Sequence, residues 1–75
     1  LKIVVAGNYR QFLFWLRENK LLERRDAIYV PDSDDAANVI RGINYSADDV
    51  VLYGTWDLRR NIGAQLDRIR ANATP

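Results

Sequence analysis

The chain has 75 residues, 48% of them apolar and 28% charged, with a net charge of +1 and neither Cys nor His. One small domain is expected. Intrinsic disorder, disulfide stapling, thiol catalysis, zinc fingers and histidine-based acid–base chemistry are excluded. The longest apolar run, Phe12–Leu16, is too short to cross a bilayer, and no charged leader followed by an apolar stretch opens the chain, so a cytoplasmic location is expected.

Ile3-Val4-Val5-Ala6 is an unbroken apolar run ended by Gly7. Ala27-Ile28-Tyr29-Val30, ended by Pro31, and Val50-Val51-Leu52-Tyr53, ended by Gly54, repeat the pattern. None alternates in polarity, as strands covered on both faces do not, and the stretches between them are long enough for crossover helices. A first helix is expected from about Tyr9 to about Asn19, packing through Tyr9, Phe12, Leu13 and Leu16, with Trp15 half covered. Asn19-Lys20-Leu21 reads as its stop, with Asn in the left-handed conformation and Leu folding back. A second helix is expected from Asp32 or Ser33 as cap, with Asp34 and Asp35 against its positive end, an apolar side of Ala36, Val39, Ile40 and Ile43, and Gly42 at its end. Asn44–Asp49 reads as a solvated polar loop. The last helix is expected from Thr55 or Asp57, carrying Leu58, Ile62, Leu66, Ile69 and Ala73, and fraying after Ala71.

The expected fold is therefore α/β: β-α-β-α-β-α in three layers, with a three-stranded parallel sheet in the order 2-1-3 and helices on both faces. Residues 1–75 form a single Rossmann-like mini-domain in this reading. So small a domain buries only about 60% of its unfolded surface, and self-association is a common way to bury more.

Three loops meet at the carboxyl edge of such a sheet, where open α/β sheets bind ligands. Gly7, Asn8, Arg10, Asp32, Gly54, Thr55 and Trp56 are the candidate ligand residues, suited to a small phosphorylated compound or nucleotide, with Trp56 for stacking. The competing reading gives the glycines to tight turns, Asn8 and Thr55 to helix caps and Trp56 to plugging the core. Gly7-Asn8-Tyr9-Arg10-Gln11-Phe12 lacks the glycines of both the phosphate-loop and dinucleotide fingerprints, so neither is expected. Asp32, Asp34 and Asp35 are expected to cap a helix rather than hold a cation. No cofactor, metal or catalytic residue is expected, and hence no enzyme.

On the first helix, Phe14 stands away from the packing face among Arg10, Arg17 and Glu18, with Leu21 on the same side. Phe14, Trp15, Arg17 and Leu21 are the candidate partner interface, for a homo-oligomer or a host or viral protein. Charge is segregated: residues 1–31 carry +3, residues 32–49 carry −4 and residues 50–75 carry +2. Arg59, Arg60, Arg68 and Arg70 ring the last helix, but the chain is no polycation and nucleic acid is not the expected partner.

Ile3-Val4-Val5-Ala6-Gly7, Phe12…Trp15…Arg17-Glu18-Asn19, Ile28-Tyr29-Val30 and Tyr53-Gly54-Thr55-Trp56 resemble segments of small uncharacterised α/β proteins of actinobacteriophages, of the mycobacteriophage type. The resemblance covers most of residues 2–57. It implies a phage-encoded protein acting in the bacterial cytoplasm, and it implies no activity, cofactor or catalytic residue. The leading expectation is a non-enzymatic protein that self-associates or binds a partner through the first helix. The alternative is a binder of a small phosphorylated ligand at the sheet edge.

Overall fold

The computed structural model describes residues 1–33 and 36–74. Strands β1 (Lys2–Ala6), β2 (Ala27–Tyr29) and β3 (Val50–Tyr53) form one parallel sheet in the order β2-β1-β3. Helix α1 (Tyr9–Asn19) joins β1 to β2, α2 (Ala36–Ile40) lies between β2 and β3, and α3 (Ile62–Asn72) follows β3. The α/β class and the strand order are those expected from the sequence.

Four consecutive residues of β1, Ile3 to Ala6, are wholly buried. That is why their pattern is continuous: both faces of the central strand are covered. Side chains alternate between the faces of a strand. Val4 and Ala6 pack with Phe12, Trp15, Leu16 and Ala27 under α1. Ile3 and Val5 pack with Val30, Ala36, Ile40, Tyr45, Leu66 and Ile69 under α2 and α3.

The bounds of α1 match those expected, but its packing face is rotated. Phe12, Trp15 and Leu16 are buried, whereas Leu13 is 42% exposed and Tyr9 is exposed as well. Indole has the larger apolar area to hide, and positions 12, 15 and 16 form one compact stripe. Asn8 caps the helix, its side chain accepting from the Gln11 N–H at 2.9 Å. At the other end Lys20, not Asn19, takes the left-handed conformation (φ 55°). Its N–H donates to Arg17 O and that of Leu21 to Leu16 O, a pairing that turns Leu21 back against the core. Asn19 instead donates from Nδ2 to Trp15 O.

The last helix starts later than the apolar spacing predicts. A single 3-10 turn, Trp56–Leu58, is followed by an extended Arg59 (φ −68°, ψ 146°) and a left-handed Asn61 (φ 52°) before α3 begins. Leu58 is left 78% exposed, because the break that rotates Arg59 inward turns Leu58 away from the core. The end of α3 is tied down rather than frayed: Ala73 packs on the core and Thr74 N–H donates to Tyr45 O at 2.7 Å. Tyr45, in the segment expected to be a polar loop, is buried, and its hydroxyl donates to Ile69 O. Asp49 is also engaged. Its carboxylate accepts from the Ser46 N–H at 3.0 Å and lies 3.5 Å from Lys2 Nζ, and the Ser46 bond lowers its pKa below the ordinary carboxylate value. Gly42, at φ 81°, ends the α2 segment as expected, with Ile43 partly buried behind it.

The rotation of α1 makes a testable contrast. Trp15→Ala should cost about 3–5 kcal/mol, most of the stability a domain of this size has. Leu13→Ala should stay within about 0.5 kcal/mol. Urea unfolding followed by circular dichroism reads both, and equal losses would put Leu13 back in the core.

Candidate functional site

The carboxyl edge of the sheet carries two polar anchors, one on each side of β1. On the β3 side Gln11 fills the crevice. Its Oε1 accepts from the N–H groups of Gly7 and Thr55, both at 3.0 Å, and its Nε2 donates to Thr55 Oγ1 at 3.1 Å. Gly7 and Thr55 do face each other as the topology requires, but they touch: a Cβ on Gly7 would stand 2.0 Å from Thr55 Oγ1. A Cβ on Gly54, which sits at φ 62°, would stand 2.2 Å from Gln11 Oε1. Asn8 is spent on its cap, and Thr55 makes no cap bond at all. The switch point between β1 and β3 is therefore occupied by the protein's own amide. Gln11 was legible as a signal, since Asn8-x-x-Gln11 has capping-box spacing, but its side chain reaches Gly7 rather than the cap residue.

On the β2 side the anchor is Arg59, whose side chain is only 1% exposed. Its Nη1 donates to Ala6 O at 3.1 Å and to Val30 O at 2.8 Å, joining the ends of β1 and β2. Its Nε lies 3.8 Å from Asp32 Oδ1, and neither Nε nor Nη2 has an acceptor among the described residues. Burial lowers the guanidinium pKa from its ordinary value, opposed by the charges of Tyr29 and Asp32. Arg59 thus leaves the solvated polar side of the last helix, where the sequence reading placed it. No periodicity in the sequence signals its burial.

Next to this anchor a cavity of about 510 Å³ opens between the start of α2 and the first half of α3. Asp32, Ser33 and Ala36 line it from one side, and Arg60, Asn61, Ala64, Gln65, Arg68 and Ile69 line it from the last helix and its approach. Among the described residues the partners of the Asp32 carboxylate come from the last helix and its approach. Its Oδ1 accepts from Gln65 Nε2 at 3.0 Å and its Oδ2 from the Arg60 N–H at 3.4 Å. Arg60 and Arg68 have no carboxylate partner among the described residues. Gln65 is nine-tenths buried, and its Oε1 accepts no hydrogen bond there. It sits with Ile62, Leu66 and Ile69 at helical spacing, so a polar residue on the apolar stripe was its signal.

Of the residues expected at the sheet edge, only Asp32 lines this cavity. Trp56 is half-buried against the core under α2 and α3, and Arg10 lies on the outer face of α1. Asp34 and Asp35 fall outside the described residues, among which no cluster of three acidic side chains could hold a metal ion. The expected partner face is reduced too, since Trp15 and Leu21 pack inward. What remains outward is Leu13 and Phe14, the latter 51% exposed, in a shallow groove with Arg10 and Arg17.

Among the described residues no helix is long and apolar enough to cross a membrane. No family model, curated protein or solved structure matches the chain.

Gln11 makes the closed crevice testable. Gln11→Ala, which removes the acceptor of two backbone N–H groups, should cost about 2 kcal/mol in urea unfolding. Gln11→Glu, which keeps that acceptor, should retain most of the stability. An unchanged Gln11→Ala would show that solvent serves Gly7 and Thr55 equally well.

Proposed function

We propose that this protein is a non-enzymatic binder of a small phosphorylated ligand, held in the cavity between α2 and α3 at the carboxyl edge of the sheet. The observation that carries the reading is a pair of arginines, Arg60 and Arg68, lining one ligand-sized cavity without a carboxylate partner among the described residues. Guanidinium groups bind phosphate through paired, charge-assisted hydrogen bonds. Buried Arg59 adds positive potential behind Asp32, and the amino end of α3 adds its dipole. Orthophosphate is the simplest probe. Titrated into ¹⁵N-labelled protein, it should shift the amides of residues 60–64 and Arg68 saturably, less so at high salt, and Arg68→Gln should abolish most of the response. Absent shifts, or shifts indifferent to Arg68→Gln, would refute the reading.

A second reading rests on a separate observation, the exposure of Leu13 and Phe14 between Arg10 and Arg17. That outer face of α1 fits the acidic, partly apolar surface of another protein. A two-fold contact between copies would set Arg10 of one beside Arg17 of the other, and like charges there oppose pairing. Sedimentation velocity should accordingly find a monomer for both wild type and Phe14→Asp. A wild-type dimer that Phe14→Asp dissociates would give the face to self-association instead.

A further inference from the structure

The cavity is larger than a phosphate group requires, and its lining is chemically divided. Arg60 and Arg68 offer donors and positive charge, Ala36, Ala64 and Ile69 offer small apolar contacts, and Asp32 offers a carboxylate. A carboxylate in an anion site is unfavourable for a bare phosphate, because like charges repel. It is favourable only if the ligand also carries hydrogen-bond donors. Asp32 has the capacity to accept them: two bonds, from Gln65 Nε2 and the Arg60 N–H, occupy about half of the lone-pair sites a carboxylate offers. Beside it, Gln65 Oε1 is a buried acceptor with no donor among the described residues.

We infer that the ligand is a phosphorylated polyhydroxy compound of the ribose phosphate class, its phosphate on Arg60 and Arg68 and its hydroxyl groups donating to Asp32. This rests on the phosphate reading above and adds to it the chemistry of the rest of the ligand. The apolar contacts of Ala36, Ala64 and Ile69 suit the carbon face of a sugar ring. The Gly7 loop plays no part, because Gln11 already takes its N–H.

Isothermal titration of the full chain with ribose 5-phosphate and with ethyl phosphate, a phosphate monoester without hydroxyl groups, tests the inference. Ribose 5-phosphate should bind about tenfold more tightly, the gain of one or two hydrogen bonds to a charged acceptor. Asp32→Asn should move the two ligands in opposite directions, weakening ribose 5-phosphate and strengthening ethyl phosphate as the repelling charge is removed. A merely structural role for Asp32 would weaken both. Equal affinities of the two compounds for the wild type, a comparison that needs no variant, would overturn the inference and leave the phosphate reading standing. Failure of both to bind would overturn the two together. AMP in place of ribose 5-phosphate identifies the source: a further gain assigns a nucleotide, no gain a free sugar phosphate, and the inference holds in either case.

Discussion

The carboxyl end of β1 sets the terms for everything around it. A central strand buried on both faces must end somewhere, and its last backbone groups lose water without gaining a further strand partner. Leaving such groups unpaired costs about 1–3 kcal/mol each. Two long polar side chains resolve this, one from each flank. Gln11, from α1, takes the Gly7 N–H toward β3, and Arg59, from the approach to α3, gives a hydrogen bond to Ala6 O toward β2. Each also ties the neighbouring strand's exit, Gln11 through Thr55 and Arg59 through Val30. The sheet edge is thereby cross-braced by side chains that local periodicity does not place there.

This bracing decides where a ligand can go. In an open α/β sheet the point where the crossovers diverge is the usual pocket. Here it is filled, since an amide and a threonine hydroxyl stand where pyrophosphate would approach the backbone. Arg59 has the opposite effect on its own side. Drawing its side chain under the edge forces the extended residue and the left-handed Asn61 that delay α3. The cavity lies between this delayed helix and the start of α2.

The fold was legible because it depends on burial alone. Three continuous apolar runs, ended by Gly7, Pro31 and Gly54, gave strand positions to within a residue or so, and crossover length gave their direction. Helix faces were legible only in part. Spacing admits both Leu13 and Trp15 to the packing side of α1, and the choice is made by the shape of the sheet and the larger area of the indole. The late start of α3 was not legible. Leu58 continues the apolar spacing of the helix perfectly well, and only a tertiary demand, the carbonyls of Ala6 and Val30, removes it from that helix. Tyr45 shows the same limit, a lone aromatic residue among polar neighbours that becomes core because it closes the far end of α3.

Charge segregation along the chain takes its meaning from the same geometry. Asp32, from the acidic middle segment, meets Arg59 and the backbone of Arg60 from the basic last segment, so the two clusters do pair within one fold. The pairing is unequal. Among the described residues Asp32 is the carboxylate in the cavity lining, where Arg60 and Arg68 stand without an acidic partner, and buried Arg59 lies behind it. Solvated surface arginines need no explanation, but two beside a ligand-sized hollow, backed by a buried third, make a field that favours an anion over a neutral molecule of the same shape. On the proposed reading Asp32, the carboxylate among the described lining residues, acts against simple anions and for those with hydroxyl groups, and so narrows the ligand class further than Arg60 and Arg68 do.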